Sequence, residues 1–214
     1  MNKPVLMFHE VLTDKTQKSG FNLESKGKYT ITFEQFVQFV DKFQDAVIYS
    51  FDDGGVSNIH VADYLRSKRI RGVFCVPTSF IGSDGFLTSN ELTYISKFHV
   101  VIPHGHYHIM EKRGYDEIYL EWSQALMKLN RILNFDGVSM VCLPGGTFSR
   151  VHSRVLTDLN VKTILHSAPS NFIMNFLYGK KFHFVPRRII ISNSNKKRDF
   201  INGIKAYLKQ LIQF

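Results

Sequence analysis

The amino-acid sequence predicts an α/β domain built on a mainly parallel sheet, and three observations carry that prediction. Short apolar runs alternate with amphipathic helical stretches along the chain. A length of 214 residues suits a single domain, residues 1–214, with a substantial core. The uncommon polar residues fall repeatedly just after an apolar run ends, where parallel sheets gather their functional groups.

In chain order, residues 4–11 read as a first strand that delivers His9, and the polar residues 13–28 as a long loop. Thr32 then caps a helix whose apolar face is Phe36, Val37, Phe39, Val40 and Phe43. Residues 46–51 form a buried strand that runs straight into Asp52, Asp53, Gly54 and Gly55, and residues 57–68 are helical. A strand over 71–77, a short helix over 89–97 and a strand over 99–102 lead to His104. The longest helix is predicted over 116–133, followed by a strand over 138–143 that ends at Pro144, Gly145 and Gly146. A helix near 152–159, strands over 162–166 and 182–191, and a terminal helix over 198–213 complete the pattern.

Lysine and arginine outnumber aspartate and glutamate 27 to 18, a formal charge of +9, with basic clusters at 66–71, 180–181 and 196–198. That balance suits an anionic partner such as a phosphate-linked substrate, an acidic glycan or a membrane surface. A nucleic-acid partner is not expected, because no binding motif and no basic helix with interleaved aromatics is present. The N-terminal apolar stretch is too short for a signal-peptide core and no run approaches membrane-spanning length, so a cytoplasmic protein is expected, with peripheral association at the inner membrane face as a further option. The two cysteines, Cys75 and Cys142, lie in apolar runs and read as buried free thiols. The oligomeric state is left open.

His104 and His108 are four residues apart with His106 between them; on a helical turn this spacing puts both imidazoles on one face, close enough to share a metal ion. Two histidines and a carboxylate form a common catalytic zinc set, and Asp53 is the natural third ligand. Adjacent carboxylates at a strand end point in different directions, which leaves Asp52 as general base toward an activated water. The Pro144–Gly146 turn offers a bare backbone N–H, that of Gly145, to a tetrahedral intermediate. Each piece alone has an ordinary reading as a turn or a polar loop. Their order, each at a strand end, carries the inference. Most of the 19 phenylalanines recur at apolar positions and read as core, whereas Tyr107 and Phe148 lie in site loops and, with His9, are candidates to contact a substrate.

These residues resemble a known family, the polysaccharide deacetylases, which includes chitooligosaccharide and peptidoglycan deacetylases. Ser50, Phe51, Asp52, Asp53 and Gly54 are similar to its Thr-Phe-Asp-Asp-Gly motif, in which the first Asp is the base and the second a metal ligand. His104 to His108 resembles its His-(Ser/Thr)-x-x-His motif, with Gly105 in place of the hydroxyl residue, and Phe8 and His9 resemble the Tyr-His that opens many members. The resemblance implies an irregular, often seven-stranded (β/α) barrel, a divalent metal (zinc foremost, with cobalt, nickel or manganese as alternatives) and removal of an N-acetyl, less readily an O-acetyl, group from a sugar. A nucleotide- or lipid-linked sugar in glycan, lipopolysaccharide or capsule assembly fits the absence of a leader and the basic surplus. Three departures stand out. Cys142, Leu143, Pro144, Gly145 and Gly146 replace the family's Arg-x-Pro-Tyr-Gly, so Arg187 is the candidate to steady the base. The general acid falls to His166, after Leu165, with His9 and His183 as rivals; Ser50 replaces Thr. A catalytically weak, metal-containing module that binds a glycan or a partner protein is the alternative reading.

Overall fold

The computed structural model describes residues 3–14, 18–23, 29–111, 113–135, 137–167 and 177–190. The strands are β1 (Val5–Phe8), β2 (Glu10–Leu12), β3 (Thr30–Thr32), β4 (Ile48–Phe51), β5 (Val73–Val76), β6 (Val100–Pro103), β7 (Met140–Cys142), β8 (Thr163–His166) and β9 (His183–Ile189). The helices are α1 (Phe33–Phe43), α2 (Asn58–Ser67), α3 (Ser89–Ser96), α4 (Tyr115–Leu133) and α5 (Arg150–Asp158). Seven strands form one sheet in the order β6-β5-β4-β1-β9-β8-β7, and every pairing is parallel. The two ends of that order, β6 and β7, lie beside each other, so the sheet curls into a nearly closed barrel. This is the (β/α) barrel that the sequence implies.

Strand periodicity sorts the side chains into layers. On β4, β5, β8 and β9 the outward residues Tyr49, Phe51, Phe74, Ile164 and Phe184 meet the helices, whereas Cys75, Leu165 and Val185 face inward with Ile102 and Cys142. The outer core is strongly aromatic: Phe51 stacks 5.4 Å from Phe8 and 5.0 Å from Phe74, each burial removing a large apolar surface from water, worth about 1.5–3 kcal/mol per ring. Trp122, Ala125 and Leu129 of α4 close the remaining side. Thr32 caps α1 as expected, its hydroxyl accepting from Gln35 N while Gln35 Oε1 accepts from Thr32 N at 2.9 Å.

Two expectations shift. The first apolar run is not one strand: it breaks at His9, and β2 leaves the barrel to pair in parallel with β3. Within the predicted long loop, Gly20–Leu23 forms a 3-10 turn. The terminal helix over 198–213, the basic cluster at 196–198, the last strand beyond 190 and parts of the 13–28 loop lie outside the described residues. Among the described residues no helix is long and apolar enough to cross a membrane.

Candidate active site

The carboxyl ends of the strands converge as the sequence predicts. Asp52 N–H donates to the Phe8 carbonyl at 2.9 Å, which carries the β1–β4 ladder one residue past the strand and keeps the Asp52 side chain on the inward face. The chain then turns through positive φ at Asp53 (71°) and Gly54 (62°), a region that Asp tolerates better than most residues. The turn swings the second carboxylate back over the first, so both line one cavity.

Asp52 is buried, and Arg187 reaches it from β9 with a two-pronged contact, Nη1 to Oδ1 and Nη2 to Oδ2 at 2.9 Å. Burial alone disfavours the Asp52 carboxylate, but the Arg187 guanidinium, with His104 and His9 behind it, holds its carboxyl well below the usual carboxylate range. Ser50 Oγ lies 3.4 Å from Arg187 Nη1 and donates to the Leu6 carbonyl at 3.1 Å. The thiols are free, as expected, and flank the pair: Cys142 Sγ stands 3.8 Å from Asp52 Oδ1 and Cys75 Sγ 3.8 Å from Arg187 Nη1. The small side chain at position 142 leaves the barrel interior free for a guanidinium arriving from β9, two strands away.

His104 and His108 do not lie on a helical turn. The segment that carries them is an open loop after β6, with φ of 76° at Gly105 and 59° at His108. The two rings nevertheless meet, centroids 4.9 Å apart, because the loop folds back on itself. One edge of the loop is held by the turn after β5: Thr78 N–H and Ser79 N–H donate to the carbonyls of Gly105 and His106, and Thr78 Oγ1 lies 2.7 Å from His106 Nδ1. The other edge is held by Glu121 of α4, whose Oε1 accepts from His106 N at 2.8 Å and Tyr107 N at 2.9 Å. Sequence reasoning missed Glu121. Its signal was a charged residue in the apolar stripe Ile118, Trp122, Ala125, Leu129 of α4.

His104 Nδ1 lies 3.0 Å from the Cys142 carbonyl. A carbonyl only accepts, so Nδ1 carries the proton and, in the neutral ring, Nε2 presents a lone pair. That Nε2 is 3.7 Å from Asp53 Oδ1 and 3.7 Å from Asp52 Oδ2, while His108 Nε2 is 3.4 Å from Asp53 Oδ1. These separations are long for hydrogen bonds but match neighbouring ligands around a tetrahedral ion with bonds near 2.0–2.1 Å, whose donor atoms sit roughly 3.3 Å apart. The ligand atoms of Asp53, His104 and His108 all lie within 4.8 Å of one another. Burial and neighbouring charges shift all three groups. Burial, aided by Asp52 and Glu10, pushes the Asp53 carboxyl up to about 7 against the pull of His104. Burial, with the nearby His104, lowers His108 to about 3. For His104, burial is outweighed by Cys142, Asp52 and Asp53, which raise it to about 10. Two imidazoles and a carboxylate at this spacing are a donor set that fits the expected metal.

The cavity over this cluster has a volume of about 560 Å³. Asp52, Asp53, His9, His104, His108, Gly145 and Arg187 line it, together with Glu10, Phe21 and Tyr29. His9 stacks on Tyr29 at 4.8 Å, and its buried Nδ1 has no hydrogen-bond partner. Gly145 sits at φ 58°, and a Cβ there would come within 3.0 Å of Met110 Sδ. Three predicted residues fall elsewhere. His166 follows inward-facing Leu165 and so points outward, its ring 5.9 Å from Phe184 in the core beneath α4 and α5. Phe148 packs among His152, Tyr178, Phe182 and Phe184 in that same core rather than in the cavity. Tyr107 is 56% exposed and does not line the cavity wall. His183 is exposed at the start of β9.

No protein-family profile and no curated protein matches the chain. Solved structures do. The deacetylase PplD of Streptococcus pyogenes, in complex with acetate, superposes with a TM-score of 0.74 over 94% of this chain and 96% of its own, at 16% identity. IcaB from Ammonifex degensii gives 0.71 over 95% of each chain at 17% identity. A polysaccharide deacetylase from Bacillus cereus gives 0.67 over 94% of this chain and 68% of its own, at 15% identity. The arrangement read from the strand pattern and the two motifs is thus met in three dimensions: this chain has the fold of the polysaccharide deacetylases.

Proposed function

We propose that the protein is a metal-dependent hydrolase that removes the acetyl group from an N-acetylated sugar. The observation that carries this reading is the meeting of Asp53, His104 and His108 at ligand spacing beside a second carboxylate, Asp52, kept ionised by Arg187. A donor set of two imidazoles and one carboxylate suits zinc, with cobalt, nickel or manganese able to replace it. Bound there, the ion supplies Lewis acidity toward the acetyl carbonyl and lowers the pKa of a coordinated water.

The protein's own groups have separable tasks. Asp52 accepts the proton from the attacking water, and Arg187 fixes its orientation. Gly145 offers its backbone N–H toward the developing oxyanion, in a turn with no Cβ to obstruct approach. We assign the leaving nitrogen to His9 in preference to His166, because His9 lines the cavity and carries an unpartnered Nδ1. Phe21 and Tyr29, in the cavity wall, are better sugar contacts than Phe148. The PplD complex with acetate is in keeping with release of the same product.

The test is acetate release from a panel of oligomeric, nucleotide-linked and lipid-linked N-acetylhexosamines, with chelated and zinc- or cobalt-loaded protein. Metal-dependent acetate from any member supports the reading and begins to name the sugar. Stoichiometric metal without acetate across the panel would favour a binding module instead.

A further inference from the structure

Glu121 is 3% exposed on the apolar face of α4, between Ile118 and Trp122. A carboxylate there costs several kcal/mol unless its oxygens find donors. Its donors come from one place only among the described contacts: Oε1 accepts from His106 N and Tyr107 N, and Oε2 from Tyr107 N at 3.0 Å. Those two N–H groups are the middle of the loop that begins at His104 and ends at His108. The loop is shaped around the anion, since a Cβ on Gly105 would stand 2.6 Å from Glu121 Oε1. The opposite edge of the loop is tied to Thr78 and Ser79, so removing the carboxylate frees one edge and leaves the other.

We propose that Glu121 is a positioning residue for metal capture: its buried carboxylate fixes the backbone between the two imidazoles and so sets their separation before an ion arrives. The argument rests on the metal-centre reading of Asp53, His104 and His108. Glycine at position 105 is required by its φ of 76° and also leaves room for the carboxylate.

Glu121→Gln keeps the shape and one acceptor oxygen for the two N–H groups but sets an amide N–H₂ against the Tyr107 N–H that Oε2 now accepts from. The experiment measures zinc and cobalt affinity by titration calorimetry, the visible spectrum of the cobalt form, and hydrogen exchange of the His106 and Tyr107 amides in metal-free protein. The expected result is a 10–100-fold loss of affinity, the size seen when groups behind metal ligands are removed, with a changed cobalt spectrum and faster exchange at those two amides. Ile118→Val, a nearby core change on the same helix face, serves as the control for general destabilisation and should leave affinity within twofold. Should Glu121→Gln fail to fold, Gly105→Ala perturbs the same contact from the loop side and is expected to weaken metal binding comparably. Wild-type affinity and spectrum in a folded Glu121→Gln or Gly105→Ala protein would overturn the proposal while leaving the metal centre intact. A wild-type protein that takes up neither zinc nor cobalt would overturn both.

Discussion

Replacing Arg187 with methionine should destabilise the metal-free protein in a strongly pH-dependent way. The substitution keeps side-chain length and apolar bulk but leaves the two Asp52 oxygens with only the longer contacts to the Cys142 thiol and His104, in a site where both side chains of the pair are at most 4% exposed. Breaking a buried pair by removing one member costs about 3–5 kcal/mol. The variant has one escape, which is to protonate Asp52. From an unfolded carboxyl at 3.8, that costs about 4 kcal/mol at pH 7 and about 1.6 kcal/mol at pH 5, a slope of about 1.4 kcal/mol per pH unit. The sign follows from the direction of the shift. In the wild type the folded pKa is depressed, so the stability Asp52 contributes is present above the unfolded pKa and lost only in strong acid. In the variant, burial without the guanidinium raises the folded pKa, and the deficit is greatest at neutral pH and shrinks as pH falls. Urea unfolding of both proteins between pH 5 and 8, in chelator, reads the difference directly, and thermal melts should separate by about 2–4 °C per kcal/mol for a chain of this size. A deficit below about 1 kcal/mol, or one that stays flat across that range, would refute the reasoning that Arg187 is what keeps Asp52 ionised.

Asp52→Asn should keep its metal and lose turnover by about 10²–10⁴-fold, the usual worth of a positioned base, as read by metal analysis and acetate release on the same sample. His104→Ala should lose both, and the loss of metal should appear as the disappearance of zinc-induced stabilisation, about 2.7 kcal/mol in the wild type at a hundredfold excess over Kd. His9→Gln should lower kcat by about 10²-fold or more whereas His166→Gln, whose ring faces the outer core, should affect melting temperature more than kcat/KM; the opposite pattern would return the role to His166.

Much of this was legible in the sequence because the relevant signals are local and periodic. Apolar runs of four to six residues, each ending in an uncommon polar residue, specify both the parallel strands and the face on which their ends meet. Asp52, Asp53, His104, His108 and Gly145 come to one cavity that way, since a residue just beyond a strand end has few places to go. His166 and Phe148 were misplaced for a related reason. The same period of two that sends Leu165 inward sends His166 outward, so strand parity decides its place over chemical type. Phe148 follows a site turn in sequence but enters the core under α5, where Tyr178 and Phe182 surround it, a contact between segments about thirty residues apart.

What the sequence conceals is the set of contacts made across the barrel. Glu121 is far from the histidine loop in sequence, and only the packing of α4 against the end of β6 brings its carboxylate under two loop amides. The steadying of Asp52 shows the same logic in a sharper form. A guanidinium is needed beside a buried carboxylate wherever on the barrel it originates. Seven inward-facing strands offer several origins, provided the others make room. Here β9 supplies it, and the inward side chains that meet it, Cys75 of β5 and Cys142 of β7, are small enough to fit against the guanidinium. An arginine restored at position 142 would therefore not strengthen the site: it would bring a second cation into a fully buried space already filled by Arg187, and only the paired exchange, with Arg187 reduced to a small apolar residue, gives the carboxylate one partner again.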